Sequence, residues 1–197
     1  MTEADFPLLS LIITIPLLGA LLAGSIRNVD VAKQIAFFTA LITFVLTACA
    51  TLLFDADKSG FQLVERYDWI PLLKIEYLVG VDGISVLFLP MTGLLTIITM
   101  LASWSAISHS SRFHFSLLLA LESVSIGVFC ALDTVLFFLF WELTLPPFFF
   151  LIGLWGIGSQ RRSAAMKYTL FMLAGGVTLL LAIIVLATNH AKQIGGQ

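Results

Sequence analysis

Phe137-Phe138-Leu139-Phe140-Trp141-Glu142-Leu143-Thr144-Leu145-Pro146-Pro147 places one carboxylate inside an apolar run and two prolines just after it. The apolar run extends over 134–158, and roughly 20 residues of helix cross a bilayer. The stretch therefore reads as a membrane span with an acid inside. Charge within a span is costly, and such residues usually face a bundle interior, a partner or water. A proline has no N–H to bond the carbonyl four residues back. Pro146 and Pro147 thus deprive the carbonyls of Glu142 and Leu143 of their helical donors. Freed carbonyls in a membrane need water or polar partners. The helix should break beside Glu142, next to a hydrated pocket; the plainer alternative is a kink that serves packing alone.

Five more apolar stretches surround this one, near 6–26, 32–54, 84–104, 113–132 and 164–187. The 197 residues are 59% apolar and 11% charged, far below the roughly 25% charged residues of a soluble domain. The expected fold is all-α: one polytopic transmembrane bundle over 1–197. A net charge of −2 without a basic run speaks against nucleic acid. The residues before the first span include Glu3 and Asp5 and no Lys or Arg, which favours a retained span over a signal peptide. The one sizeable polar segment, 55–83, reads as a short hairpin or interfacial loop, with Trp69 and Tyr77 at headgroup level.

Basic residues set the expected orientation. Arg27, Lys33, Arg112, Arg161 and Arg162 lie in or beside the short first, third and fifth loops, whereas Lys58, Arg66 and Lys74 share a long loop with six acids, and Lys192 follows the last span. The positive-inside rule puts the short loops on the cytoplasmic or matrix side and both termini outside.

A second acid, Glu122, lies within span 4. Counted from the turn at Asp133, Glu122 sits roughly 16 Å deep and Glu142 roughly 13 Å deep. Their helices are expected to be antiparallel neighbours, with the two carboxyls at similar depth near the midplane. Carboxyls that gain and lose protons there suit a proton relay; the alternative is a neutral, hydrogen-bonded structural glutamic acid. Lys167 opens span 6, roughly 6 Å from the membrane edge. It either snorkels or sets local charge, and lies too far from Glu142 for a direct pair. His109, His114 and His190 lack metal-ligand spacing, and Cys49 and Cys130 are isolated packing residues. His114, beside Arg112, is a minor candidate for proton entry. No phosphate loop, zinc motif or dinucleotide fingerprint is present.

The opening stretch, continued to Gly153-Leu154-Trp155-Gly156, resembles the fifth span of NADH–quinone oxidoreductase chain M, also called subunit 4, of respiratory complex I. Gly80-Val81-Asp82-Gly83-Ile84-Ser85 is similar to the family's motif before span 3. Ile126-Gly127-Val128-Phe129-Cys130-Ala131-Leu132-Asp133 resembles its join between spans 4 and 5, and Ala164-Ala165-Met166-Lys167-Tyr168 its entry to span 6. The resemblance implies an antiporter-like, proton-translocating subunit in which Glu142 matches an essential protonatable glutamate and Lys167 a commonly basic position. Family members usually have 14 spans, and this sequence matches the first six. The lysine of span 7 and the second half-channel would come from another polypeptide, or the sequence is part of a longer chain. A proline at Pro146 departs from the family, which usually has one only at the position of Pro147.

The resulting expectation is a membrane-arm subunit of NADH:quinone oxidoreductase in a bacterial inner membrane or an equivalent energy-transducing membrane. Glu142 would be the central proton acceptor, Glu122 a secondary carboxylate, and Lys167 a charge-balancing group. Asp82 and Asp133 would organise helix ends. NADH, FMN, iron–sulfur clusters and quinone would belong to partner subunits. An Mrp-type cation/proton antiporter subunit and a non-conducting structural or assembly subunit are the alternatives.

Overall fold

The computed structural model describes residues 6–73 and 75–194. Glu3, Asp5 and Lys74 lie outside the described residues, as do the side chains of His190 and Lys192.

Among the described residues, seven α-helices and a two-stranded sheet follow in the order α1 (Leu8–Ser25), α2 (Val29–Leu53), β1 (Gln62–Ile70), β2 (Ile75–Val81), α3 (Ser85–Ser103), α4 (Ser111–Cys130), α5 (Thr134–Leu143), α6 (Leu145–Trp155) and α7 (Arg161–Ile194). Helices α5 and α6 together make one span, so six segments are long and apolar enough to cross a membrane. Six long apolar helices were expected, and six are present among the described residues. The fifth is split at Thr144, and α7 continues to Ile194, past the anticipated end near 187.

Local sequence explains the helix ends. The Asn28 Oδ1 accepts the N–H groups of Asp30 and Val31 and starts α2, as a short polar side chain does at an N-cap. Asp133 caps α5 by accepting from Val135 at 2.8 Å and Leu136 at 3.0 Å. Asp82 Oδ1 accepts the Ser85 N–H at 2.6 Å, and the Asp82 N–H donates back to Ser85 Oγ at 3.0 Å. Asp82 and Asp133 therefore do organise helix ends, as the sequence predicted.

Small residues let the helices approach. Ala32, Ala36, Ala40, Thr43, Thr47 and Ala50 form the buried stripe of α2, the pattern by which membrane helices pack without a hydrophobic drive between them. Helix α4 is the hub; it packs on α1, α2, α3, α5, α6 and β2. Helix α7 packs on α5 and α6 and keeps a largely exposed apolar surface.

The polar segment folds as a two-stranded hairpin. Its strands are antiparallel, with Gln62 opposite Val81 and Tyr67 opposite Tyr77. It lies over the ends of α1, α4 and α5, where Val79 pairs with Ala131 and the Leu132 N–H donates to the Leu78 carbonyl at 2.9 Å. Alternation of the spans places the Arg27, Arg112, Arg161 and Arg162 loops at the opposite end of the bundle.

Candidate functional site

Glu142 is the penultimate residue of α5. The chain breaks at Thr144, whose N–H turns back to the Trp141 carbonyl at 3.2 Å while its hydroxyl donates to the same carbonyl at 2.7 Å. Pro146 and Pro147 then occupy the first turn of α6, where a missing N–H is tolerated. The predicted helix break is present, two residues after the acid. Glu142 borders a cavity of about 410 Å³ with Pro146, Phe149, Thr169 and Leu173 among its walls. Its Oε1 is buried without a hydrogen-bond partner, as is Thr169 Oγ1. On its other side the carboxyl reaches α7, where it occupies the space a side chain would take at Gly176.

Glu122 is only 1% exposed, and neither carboxyl oxygen has a partner. It borders a separate cavity of about 510 Å³ lined also by Thr92, Thr96 and Thr99 of α3, Ser125 of α4, and Trp141, Thr144 and Tyr168. The three threonines recur at helical spacing. Their hydroxyls donate to the carbonyls of Phe88, Thr92 and Leu95 at 2.7, 3.0 and 2.7 Å. Their oxygens are therefore left to the cavity as acceptors.

The two acids border different cavities. Expected as neighbours at similar depth, they belong to adjacent helices, but α5 turns Trp141 toward the Glu122 cavity and Glu142 toward the α7 side. A one-residue step on a helix rotates a side chain by about 100°, which a depth count along the axis does not register.

Lys167 is exposed on α7 and makes no ion pair with Glu142. It precedes Gly176 by nine residues, roughly 13 Å along the helix. The ion pairs among the described residues, Lys58–Asp55 and Arg66–Glu76, both lie outside the spans. His114 is buried against Trp155, ring centroids 4.8 Å apart, and neither ring nitrogen has a partner. Among the described residues no group of three His, Cys, Asp or Glu is placed to hold a metal ion. The two cysteines, Cys49 exposed and Cys130 buried, do not fit the four-thiolate set of an iron–sulfur cluster.

Sequence reasoning missed the Gly176 contact, Thr169 and the Thr92–Thr96–Thr99 stripe. The paired glycines inside an apolar helix and the threonine spacing were the available signals.

Residues 131–193 match the family described as NADH:quinone oxidoreductase/Mrp antiporter, transmembrane. The chain is 34% identical to F420H2 dehydrogenase subunit M of Methanosarcina mazei, over 96% of this chain and 38% of that one. It is 38% identical to NAD(P)H-quinone oxidoreductase chain 4 3 of Picosynechococcus, over 94% of this chain and 34% of that one. The chain thus spans little more than a third of the length of these relatives. Its fold matches a chain of respiratory complex I from Thermus thermophilus, with a TM-score of 0.77 at 22% identity, over 89% of this chain and 35% of that one. It also matches a chain of the Mrp complex from Dietzia, with a TM-score of 0.71 at 22% identity, over 92% of this chain and 19% of that one. The chain is thus similar over most of its own length to part of each of these relatives, and its residues 131–193 match the family described as NADH:quinone oxidoreductase/Mrp antiporter, transmembrane.

Proposed function

We propose that this polytopic membrane protein contributes part of a proton-translocation path to a NADH:quinone oxidoreductase-type complex, with Glu142 as the central proton acceptor. One observation carries the reading. A carboxyl inside a span sits at a helix break with a buried, unpartnered oxygen, bordered by a cavity. Intramembrane acids mark functional sites, proton relays among them, and an unpartnered carboxyl at a helix break suits that role. A broken helix exposes backbone acceptors that water satisfies, and water in the cavity would connect the carboxyl to its surroundings.

Glu122, bordered by hydroxyl acceptors, is the secondary carboxylate, and Lys167 adjusts charge at the entry of α7. The basic partner of Glu142 comes from further membrane helices, since Lys167 is too distant. One relative is named for F420H2 and another for NAD(P)H, so the electron donor belongs to other subunits while the membrane portion is common to both. NADH, FMN, iron–sulfur clusters and quinone are likewise assigned to those partners. The complex would lie in a bacterial inner membrane or an equivalent energy-transducing membrane. The arginine-bearing loops would face the cytoplasm and the hairpin with both termini the outer side.

Glu142→Gln in the intact complex, reconstituted in proteoliposomes, tests this reading. Proton pumping and quinone reductase activity should both fall sharply. Retention of both rejects the proton role and favours a structural spacer. Sodium-dependent transport without NADH oxidation would favour an Mrp-type antiporter subunit.

A further inference from the structure

We propose that Gly176 of α7 is a positioning residue for the Glu142 carboxyl: its missing side chain is the seat in which the carboxyl rests against the α7 backbone. The proposal builds on the reading of Glu142 as a proton acceptor.

A β-carbon built on Gly176 would overlap Oε1 of Glu142 and come within 2.8 Å of Cδ and 3.4 Å of Oε2. The whole carboxyl group, not one atom, fills the space. Gly175, next in the chain, has nothing within 4 Å of the same construction. Both glycines weaken a helix relative to alanine, but only Gly176 has a neighbour that requires the gap. Gly176 is also buried within a helix whose surface is mostly exposed.

Thr169 lies seven residues earlier, on the same face of α7. It borders the cavity of Glu142, and its hydroxyl oxygen is buried without a partner. One face of α7 therefore carries the glycine seat and, two turns away, a hydroxyl that borders the same cavity as the acid. The glutamate side chain is flexible, so a methyl group at 176 would relocate the carboxyl while leaving the helices packed. An acid displaced from the α5–α6 break would lose its register with whatever donates and accepts its proton.

The test uses the intact complex with Gly175→Ala, Gly176→Ala, Glu142→Gln and the Gly176→Ala/Glu142→Gln double variant, each checked for assembly. Three quantities are read: the proton-pumping rate, its pH profile, and the infrared carboxyl band identified by its disappearance in Glu142→Gln. Gly176→Ala should shift the band, displace the pH profile and slow pumping on the order of tenfold, since misplacement by about 1 Å can cost up to 10²-fold. Gly175→Ala should leave all three unchanged. On the Glu142→Gln background Gly176→Ala should add nothing, because the two changes act on one group. An unmoved band and pH profile in Gly176→Ala overturn the proposal, as does an additive loss in the double variant. If Glu142→Gln pumps normally, the proton-acceptor reading fails by itself, and the band in Gly176→Ala still decides whether the seat exists.

Discussion

The carboxylate of Glu65, in β1, accepts the backbone N–H of Leu9 at 2.6 Å, joining the hairpin to the start of the first span across 56 residues of sequence. The same carboxylate accepts the Ser10 N–H at 3.2 Å and the Ser10 hydroxyl, and that hydroxyl lies 3.0 Å from the Tyr77 hydroxyl. Helix α1 starts after Pro7 and has no cap from its own sequence. The first amides of a helix have no internal partners, and an anion there complements the helix dipole. A side chain from the hairpin supplies both.

Glu65→Ala should therefore loosen the hairpin from α1. Glu65 is only 4% exposed, and removing one partner of a charged hydrogen bond leaves buried donors unsatisfied, at a cost of about 2 kcal/mol. Glu65→Gln, which keeps an oxygen acceptor without the charge, should cost less. Amide hydrogen exchange at Leu9 and Ser10 in the assembled complex measures this: protection should fall in Glu65→Ala and be partly kept in Glu65→Gln. Unchanged exchange in both would show that the cap contributes nothing.

Glu65 and Glu142 show where sequence was and was not sufficient. The six spans were legible because hydropathy over about 20 residues answers to one solvent, lipid. The break after Glu142 was legible because proline acts on its own backbone, four residues away. Asp82 and Asp133 were legible for the same reason: a cap bonds to residues two or three ahead. The role of Glu65 depends on how the hairpin folds over α1, a relation with no local signature. The separate cavities of Glu122 and Glu142 depend on the rotation of α5 about its axis, which an axial count of depth cannot supply. Gly176 stood in plain view beside Gly175, but only the neighbouring helix distinguishes the two.

Asp82 gives a pH test outside the membrane. The Ser85 backbone N–H, with smaller help from the Ser85 hydroxyl and the Ile84 N–H, holds its carboxyl below the usual carboxylate range despite some burial. A carboxyl whose folded value is depressed adds stability that is complete above its unfolded value, about 3.9. That stability is lost as the pH falls through the folded value. The start of α3 should thus stay ordered at neutral pH and fray only in strong acid. Exchange at Ser85, followed downward in pH, should accelerate below the ordinary carboxylate range, and Asp82→Asn should remove that pH step.

Gly127 marks a packing limit between α4 and α5. A β-carbon there would lie 2.5 Å from two atoms of the Phe140 ring. The obstacle is a rigid ring on α5 packed against α4, and overpacking of this kind typically costs about 1–3 kcal/mol. Gly127→Ala should lower the thermal stability of the assembled complex by an amount in that range. The companion Phe140→Leu, which withdraws the ring, should recover part of the loss in the double variant. A Gly127→Ala protein as stable as the parent would show that α5 moves away freely.

Two prolines follow the break, and their contributions to it can be separated. Pro147 is buried and Pro146 exposed, and either one alone removes a donor and clashes with the preceding turn. Pro146→Ala should leave the break in place, because Pro147 still denies Leu143 its helical donor. Pumping in that variant should stay near the parental rate. Replacing both with alanine restores donors to the carbonyls of Glu142 and Leu143, so α5 and α6 can join into one continuous helix. That closure withdraws the backbone acceptors beside the acid and, if they help to hydrate it, should slow pumping on the order of tenfold or more, the range attached to a misplaced group. Hydrogen exchange across 142–148 reads the structural half of the prediction, with protection rising in the double variant alone. A double variant with a continuous helix and parental pumping would separate the break from proton transfer and leave Glu142 to act without it.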